Sequence, residues 1–367
     1  MIKIMSVFGT RPEAIKMAPL VKELEKREEI ESIVTVTAQH REMLDQVLET
    51  FEIKPDYDLN IMKNGQTLTD VTTRALQRLE EIIIKCKPDI ILVHGDTTTT
   101  FAGALAAFYN QVAIGHVEAG LRTYDKYSPW PEEMNRQMVD CMSDIYFAPT
   151  NLSKKNLLKQ NISEDKIYVT GNTAIDAMHT TVDENYQHEV IDWIGNSRMI
   201  LLTVHRRENL GEPMRHIFNA VKKLVDEFED IKVVYPVHKN PLVRKIANEI
   251  LSEEDRVKLI EPLEVFDFHN FQNKSFMIMS DSGGIQEEAP SLGKPVLVLR
   301  NTTERPEGIE AGTLKLVGTD EKVIYNEAKK LLTDMEEYNK MSKASNPYGE
   351  GHASEKIVNA IIEYFNK

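Results

Sequence analysis

The chain has 367 residues, 41% of them hydrophobic and 28% charged, a composition typical of soluble folded proteins. A single hydrophobic core rarely extends over this length, so two domains are expected. The net charge of −14 argues against nucleic-acid binding, which depends on clustered lysine and arginine.

The chain shows no signal for export or membrane insertion. Residues 1–9 read as a first strand and lack the basic, apolar and small-residue order of a signal peptide. No apolar run approaches the roughly 20 residues that cross a bilayer. Cys86 and Cys141 are too few for a disulfide scaffold and have no metal-ligand spacing. We therefore expect a cytoplasmic protein without a membrane partner.

Short apolar segments alternate with longer amphipathic ones along the chain. The first series of predicted strands covers residues 2–7, 33–37, 89–93, 112–116, 145–148 and 167–169. The second series covers residues 199–203, 232–237, 257–260, 276–279, 296–299 and 314–317. Helical patterns include residues 13–26, 69–85 and 212–229. Because strands rich in Ile, Val and Leu are typical of parallel sheets covered on both faces, we predict two doubly wound, Rossmann-like α/β domains.

The boundary between the two domains is expected in the polar stretch between Gly171 and Ser197. We predict a first domain over residues 1–170 and a second over residues 171–353. A last helix over residues 354–365 follows a Gly/Pro-rich segment. We expect the segment 354–367 to cross back and pack on the first domain.

The predicted strands end in unusually polar sequences. These ends are Gly9-Thr10-Arg11, Gln39-His40-Arg41, His94-Gly95-Asp96, His116-Val117-Glu118, His205-Arg206-Arg207, His238-Lys239-Asn240 and Ser280-Asp281-Ser282. Ligands of open α/β sheets bind at the carboxyl ends of the strands. One polar end alone is typical of a helix cap or a buried histidine. This many together favour a ligand site in a central cleft that the two domains face.

Two turns have the composition of phosphate-binding sites. Ser282-Gly283-Gly284 follows a strand and opens a helix, although a simple serine-capped turn explains it equally well. Arg11 and Arg305 are candidate bidentate phosphate donors. The dinucleotide motif G-x-G-x-x-G and the P-loop motif are both absent. We therefore expect no nicotinamide cofactor and no ATPase activity.

Three carboxylates are candidates for proton transfer: Asp96, Glu118 and Glu132. Asp96 and Glu118 follow predicted strands, and Glu132 opens a predicted helix, on which Arg136 lies four residues further. Taken singly, Asp96 is better explained as a helix cap and Glu132 as a favourable first-turn charge. The histidines are too widely spaced for a zinc site, so no metal is expected.

Six motifs, in order along the chain, resemble those of the bacterial non-hydrolysing UDP-N-acetylglucosamine (UDP-GlcNAc) 2-epimerases. They are residues 9–13, 93–97, 116–122, 129–136, 205–208 and 280–288. The resemblance implies a GT-B-like fold, a homodimer, no cofactor, and interconversion of UDP-GlcNAc with UDP-N-acetylmannosamine (UDP-ManNAc). That reaction supplies cell-wall or capsule polysaccharide synthesis.

The resemblance also implies roles for individual residues. The catalytic group comprises Asp96, Glu118, Glu132 and His205, the last near the pyrophosphate. The substrate-binding group comprises Arg11, Lys16, Arg136, Phe268, Ser282, Gly283, Gly284, Glu288 and Arg305, with Phe268 beside the uracil.

Some relatives bind a second UDP-GlcNAc as an allosteric effector, and Gln39, Arg206 and His238 match that site. Glu42 and Gly65 depart from it, since those relatives carry Gln and Arg there. Losing an arginine and gaining a carboxylate weakens the capture of an anion.

Because C2 is not beside a carbonyl, it cannot be deprotonated directly to an enolate. A route to epimerisation without a redox cofactor is elimination and re-addition of UDP. The sequence leaves open which carboxylate is the acid and which the base. The alternatives are a GT-B glycosyltransferase, a hydrolysing epimerase that releases the free sugar, and a sensor that binds the nucleotide-sugar without catalysis.

Overall fold

The computed structural model describes residues 1–38, 41–63, 65–303 and 305–366, without the side chains of residues 42 and 43. The chain divides into two compact units, one of Met1–Thr180 with Tyr348–Lys367 and one of Thr181–Pro347. These bounds differ from the expected 1–170, 171–353 and 354–367. Helix 173–181 follows residue 170 yet lies almost wholly in the first unit, and the returning segment begins before the C-terminal helix.

The first unit contains a parallel sheet of seven strands within the described residues. They are β1 (Ile2–Phe8), β2 (Ile30–Val36), β3 (Tyr57–Asp58), β4 (Ile90–His94), β5 (Ala113–Val117), β6 (Ile145–Ala148) and β7 (Ile167–Val169). The strand order is β3-β2-β1-β4-β5-β6-β7. The order reverses between β1 and β4, which is the doubly wound pattern that the sequence predicts.

Helices cover this sheet. They are α1 (Arg11–Glu25), α2 (Arg41–Thr50), α3 (Leu68–Cys86), α4 (Thr98–Tyr109), α5 (Glu132–Met142), α6 (Asn151–Lys159) and α7 (Thr173–Thr181). A 3-10 turn, Glu164–Lys166, precedes β7. Strand β4 is buried along its whole length, as its sequence Ile-Ile-Leu-Val-His predicts.

The second unit repeats the same topology with six parallel strands. They are β8 (Arg198–Thr203), β9 (Ile231–Pro236), β10 (Val257–Ile260), β11 (Met277–Ser280), β12 (Val296–Val298) and β13 (Leu314–Leu316), ordered β10-β9-β8-β11-β12-β13. The helices are α8 (Glu189–Ile194), α9 (Glu212–Glu227), α10 (Pro241–Leu251), α11 (Val265–Lys274), α12 (Gly283–Glu288), α13 (Pro306–Glu310), α14 (Glu321–Thr333) and α15 (Met335–Ser342). Two 3-10 turns are Arg207–Asn209 and Ala289–Leu292.

The C-terminal helix α16 (Ala353–Asn366) belongs to the first unit and packs against α1. The predicted return of the chain is therefore confirmed. The buried carboxylate of Asp176 on α7 accepts hydrogen bonds from the backbone of Ala353 at 3.1 Å and Ser354 at 2.7 Å. A side chain distant in sequence thus caps the start of α16.

All twelve predicted strands are present, with ends shifted by at most a few residues. Strand β3, a two-residue strand at the edge of the first sheet, was not predicted from the sequence. A strand this short carries no alternating or apolar pattern, because one residue is half-buried and the next exposed.

Candidate active site

In the first unit the strand order reverses between β1 and β4. The carboxyl ends of these two strands form the switch point of the unit, where ligands of doubly wound sheets bind. A β-carbon on Gly9 would lie 1.8 Å from Thr37 Oγ1 and 2.8 Å from Thr99 Oγ1, and those two hydroxyls are hydrogen-bonded to each other at 2.9 Å. Only glycine fits there, so the ends of β1 and β2 and the start of α4 approach one another closely.

Glu13 joins the two loops at this switch point. Its carboxylate accepts hydrogen bonds from the backbone of Gly9 at 3.0 Å and Thr10 at 2.7 Å. It also accepts from the hydroxyls of Thr97 at 2.7 Å and Thr100 at 3.0 Å. Burial raises the pKa of Glu13, and hydrogen bonds from Thr97, from Thr10 and from the Gly9 backbone partly offset that effect. We assigned Glu13 no role from sequence, although its place three residues after Thr10 fits a capping box.

Glu118 follows β5 in a left-handed conformation, with φ of 67°. Its Oε2 forms an ion pair with Lys16 Nζ of α1 and accepts a hydrogen bond from Asn172 Nδ2 at 3.0 Å. The side chains of Glu118 and Lys16 are only 10% and 12% exposed. Two predicted site residues therefore meet here, together with Asn172, which the sequence analysis did not single out.

Asp96 is held by Arg136. Arg136 Nε donates to Asp96 Oδ2 at 3.1 Å, Nη2 donates to the same oxygen, and the side chain of Asn135 donates to the Asp96 carbonyl at 2.9 Å. Arg136 is buried, so this guanidinium fixes the orientation of Asp96.

The neighbouring glutamates on α5 have different surroundings. Glu133 is fully buried and accepts from Arg136 Nη1, from the side chain of Gln137 and from the backbone of Thr123 and Tyr124. Glu132 is partly exposed, and its carboxylate forms no hydrogen bond or ion pair with any described residue. Arg136 thus binds the glutamate three residues before it rather than Glu132.

A buried network lies directly behind these carboxylates. His116 Nδ1 lies 2.6 Å from Asp140 Oδ1, and His116 Nε2 lies 2.7 Å from the carbonyl oxygen of Gly95, both within hydrogen-bonding distance. Arg122 binds the second oxygen of Asp140, which also accepts from the Gly120 backbone at 3.3 Å. Burial raises the pKa of Asp140, but His116 and Arg122 outweigh it, so the pKa lies below its ordinary value. The network fixes the loops that carry Asp96 and Glu118.

His94, at the end of β4, is a neutral base beside Glu118. Its Nε2 lies 3.7 Å from Glu118 Oε2 and makes no hydrogen bond within the described part of the chain. Burial lowers the pKa of His94 to about 4, although the Glu118 charge opposes this shift. His94 is therefore uncharged at neutral pH.

In the second unit, Asp281 organises the loop after β8. This fully buried carboxylate accepts from the backbone of His205 at 3.0 Å and Arg206 at 2.9 Å, and from the side chain of Asn209 at 2.9 Å. The adjacent strand ends are tied by a 2.6 Å hydrogen bond between Thr203 and Ser280. Asp281 therefore positions two predicted site residues, a role that we did not assign from sequence.

The rings of His205 and His238 stack with centroids 5.6 Å apart and an interplanar angle of 17°. Burial lowers the pKa of His205, and Arg206 and His238 act in the same direction, while Asp281 opposes them. The predicted catalytic histidine thus lies against one of the residues matched to the allosteric site.

Two guanidinium groups converge on Gly283. A β-carbon there would lie 2.8 Å from Arg305 Nη1 and 3.4 Å from Arg206 Nη2. Arg305 Nε donates to the buried carboxylate of Glu287 at 2.7 Å, which fixes its orientation. Ser282 is the N-cap of α12, but its side chain makes no capping hydrogen bond. The serine-capped turn considered from sequence is therefore not what the structure shows.

Glu288, at the end of α12, accepts a 2.8 Å hydrogen bond from Gln272 Nε2. A β-carbon on Gly284 would lie 3.5 Å from Glu288 Oε1, so the glycine leaves space beside this carboxylate. Phe268 is half-buried on α11 and packs against the second unit's core.

Other predictions concern residues outside these clusters. Arg11 is the first residue of α1. Gln39 lies outside the described residues. Across the described ranges, no helix is long and apolar enough to cross a membrane. In the same ranges, no three His, Cys, Asp or Glu side chains are grouped to hold a metal.

Two doubly wound sheets, each with polar residues at its switch point, define a two-domain, Rossmann-like protein of the GT-B-like class. The chain belongs to the UDP-N-acetylglucosamine 2-epimerase family, whose model matches residues 22–362.

Individual relatives agree with this assignment. The UDP-N-acetylglucosamine 2-epimerase of Bacillus subtilis is 66% identical over 364 residues, which cover 99% of this chain and 96% of the relative. A Staphylococcus aureus structure with UDP is 59% identical, with a TM-score of 0.93 over 100% of this chain and 97% of that one. The Neisseria meningitidis UDP-GlcNAc 2-epimerase, bound to UDP-GlcNAc, is 51% identical, with a TM-score of 0.91 over 99% and 100%.

Proposed function

We propose that this chain is an isomerase that reversibly converts UDP-GlcNAc to UDP-ManNAc without hydrolysing either. The observation that carries the proposal is the pair of carboxylates at the first unit's switch point, each held by its own cation: Glu118 by Lys16 and Asp96 by Arg136. Family membership and the UDP-GlcNAc bound to the Neisseria relative support the choice of substrate.

The reaction proceeds by elimination and re-addition. A base removes the proton from C2 while the bond between C1 and the diphosphate oxygen breaks, which gives 2-acetamidoglucal and UDP. The diphosphate oxygen then bonds to C1 again, and an acid delivers a proton to the opposite face of C2. No oxidant or reductant is needed. The protein must supply acid–base groups and stabilise the departing diphosphate.

The residues of the first unit act on the sugar. Asp96, Glu118 and Glu132 exchange protons, and ion pairs hold the first two in fixed orientations. Arg11 and Lys16 bind the nucleotide-sugar, and Arg136 contributes through Asp96. Glu132 is partly exposed and has no partner among the described side chains, so no ion pair holds its carboxylate as Lys16 and Arg136 hold the other two.

The residues of the second unit hold UDP. Two guanidiniums beside Gly283 supply the charge that a diphosphate requires, and His205 stabilises it as it departs. Ser282 and Gly284 bind phosphate and ribose, and Glu288 accepts from the ribose hydroxyls. Phe268 lies beside the uracil.

We further propose that the enzyme works as a cytoplasmic homodimer that supplies cell-wall or capsule polysaccharide synthesis. A second UDP-GlcNAc would bind at Gln39, Arg206 and His238 more weakly than in the allosteric relatives, because Glu42 and Gly65 stand where those relatives carry Gln and Arg. The proximity of Arg206 to Gly283 and of His238 to His205 supports an effector site adjoining the substrate site.

The alternatives differ in their products. A glycosyltransferase of similar fold releases UDP and passes the sugar to an acceptor, and a hydrolysing epimerase releases UDP and the free sugar. A sensor leaves UDP-GlcNAc unchanged. The charge-paired carboxylates at the first switch point favour the isomerase, since neither simple binding nor sugar transfer requires several proton-transfer groups.

Proton NMR of the protein with UDP-GlcNAc in D2O tests the proposal. We expect UDP-ManNAc to appear until equilibrium, with deuterium at C2 of both sugars and no stoichiometric free UDP. Epimerisation without deuterium at C2 would refute the elimination route. Stoichiometric UDP and free sugar would instead identify a hydrolase, and an unchanged spectrum would identify a binding protein.

A further inference from the structure

Asn172 lies buried at the start of α7, beside Glu118. Its Oδ1 accepts a 3.0 Å hydrogen bond from the backbone N–H of Ala174. This contact fixes the orientation of the side-chain amide, because only the oxygen can accept. The Nδ2 group is thereby directed at Glu118 Oε2, 3.0 Å away. Asn172 is thus an uncharged hydrogen-bond donor to the Glu118 carboxylate, which also forms an ion pair with Lys16 of α1.

The backbone of Asn172 contacts a different part of the chain. Its N–H donates to the carbonyl of Tyr348 at 2.8 Å, and Tyr348 is the residue at which the chain re-enters the first unit. A β-carbon on Gly171 would lie 3.0 Å from that carbonyl, and one on Gly349 would lie 3.3 Å from Gly171 Cα. Both glycines have positive φ, 92° and 107°. The two backbones therefore pack at a distance that side chains would prevent.

We infer that Asn172 is a positioning residue, which orients the Glu118 carboxylate and connects it to the re-entry segment at Tyr348 and Gly349. The inference rests on the proposed function, because it assigns Asn172 to the same reaction. Through this one residue, a displacement of the re-entry segment changes the position of a proton-transfer group. Tyr348 and Gly349 influence the reaction without touching substrate.

A purely structural role is the competing explanation, since Asn172 also accepts from the first turn of α7. Two substitutions separate the roles. In Asn172→Ser the hydroxyl can still accept from Ala174, but it is too short to donate to Glu118. In Asn172→Asp the acceptor and the side-chain shape remain, while a carboxylate replaces the donor facing Glu118.

The expected effects differ in size and in pH dependence. We expect kcat to fall about tenfold in Asn172→Ser and about 100-fold in Asn172→Asp, with KM within about threefold of wild type, as for loss of a hydrogen bond to a charged group. A donor to Glu118 favours its ionised form, and a neighbouring negative charge disfavours it. Lys16 and His94, which also face Glu118, are unchanged. In a plot of kcat against pH, the limb that reports the ionisation of Glu118 should therefore move to higher pH in Asn172→Asp.

Gly349→Ala tests the connection to the re-entry segment. The added methyl group would press on Gly171, so kcat should fall about tenfold, as in Asn172→Ser. Gly312→Ala is the matched control, because Gly312 also has positive φ, 80°, but a β-carbon there meets no atom within 4 Å. The double variant Asn172→Ser/Gly349→Ala should lose little more activity than either single variant, because both substitutions act through the hydrogen bond between Asn172 and Glu118.

Wild-type turnover, measured by the NMR assay above, comes first and separates the two claims. If wild type does not epimerise UDP-GlcNAc, the proposed function fails. If wild type is active and both Asn172 variants keep its kcat and pH profile, the positioning role is wrong while the function stands. Additive losses in the double variant, or equal losses in both glycine variants, would show that the re-entry segment does not act on Glu118 through Asn172. Melting temperatures show which losses arise from unfolding.

Discussion

The two switch points share one topology and differ in chemistry. In both sheets the strand order reverses beside the first strand of the unit, at β1 and β4 in the first and at β8 and β11 in the second. In the first unit the carboxylates of Glu118 and Asp96 are 10% and 25% exposed and are paired with Lys16 and Arg136. In the second unit the carboxylate of Asp281 is fully buried, and guanidiniums lie beside the glycine turn.

The shared topology therefore determines where each site lies. The position of the charged side chains determines what the site can bind or catalyse. Where carboxylates remain partly accessible and are paired with cations, the site suits proton transfer. Where the carboxylate is fully buried and guanidiniums lie beside a glycine turn, the site suits an anion. Changes made at one switch point at a time test this difference.

The largest effect is expected at the first switch point. Asp96→Asn, Glu118→Gln and Glu132→Gln keep the side-chain shape but remove the basic oxygen, so each should lower kcat by ~10²–10⁴. Turnover is measured by NMR and stability by thermal unfolding.

Glu133→Gln is the matched control, one residue from Glu132. Its carboxylate accepts four hydrogen bonds in the buried interior, and an amide group would face some of those donors with its own N–H groups. We expect a loss of ~1–3 kcal/mol in stability there, and almost none in Glu132→Gln. If Glu132→Gln, Glu118→Gln and Asp96→Asn all stayed fully active and only lost stability, the catalytic assignment would be wrong.

A pH effect on stability is expected from His94. Because burial lowers its pKa to about 4 in the folded protein, the unfolded chain binds a proton first as pH falls through the ordinary value of 6.5. His94 should therefore cost the folded state about 2 kcal/mol between pH 7 and pH 5, a loss that continues down to about pH 4. Urea unfolding of wild type and His94→Gln measures this loss as a difference in slope against pH.

His216→Gln, on the exposed face of α9, shows whether removal of any histidine has the same effect. Parallel pH dependences for wild type and His94→Gln would mean that the fold does not lower the pKa of His94.

The fold was predicted closely because its signals are local. Strands such as β4 and β11 are continuous apolar runs, and parallel strands of this kind occur only where helices cover both faces. The return of α16 was also predicted. By contrast, the division at Thr180 and Pro347 depends on which contacts α7 and the segment after Pro347 make, and those contacts are far apart in sequence.

The candidate site was predicted in part. Residues with polar side chains at strand ends, such as Asp96 and His205, were proposed as site residues from their positions, and their roles remain predictions. The residues that orient them were missed, because Glu13, Asp140 and Asn172 act through partners 20 to 87 residues away. Spacing alone does not show such contacts.

A smaller effect is expected at the second switch point. Arg305→Lys keeps a positive charge near Glu287 but loses the planar fork that can donate two parallel hydrogen bonds to a phosphate. UDP binding, measured by calorimetry, should weaken about tenfold. Arg244→Lys is the control, since Arg244 makes a similar two-point contact with Glu261, at 2.8 and 2.6 Å, on the exposed surface. Equal UDP affinity in Arg305→Lys and wild type would remove Arg305 from the site.

The smallest effect on stability is expected at Ser282. Since its hydroxyl makes no capping hydrogen bond, Ser282→Ala should change the free energy of unfolding by less than about 0.5 kcal/mol. Thr67→Ala provides the comparison, because Thr67 caps α3 with a hydroxyl that accepts from Asp70 at 3.1 Å, and its loss should cost about 1 kcal/mol. A hydroxyl with no structural task is available to a ligand, so Ser282→Ala should still weaken UDP binding. If it instead destabilised the protein as much as Thr67→Ala and left UDP affinity intact, Ser282 would be a helix cap, and the contrast between the two switch points would rest on the guanidiniums alone.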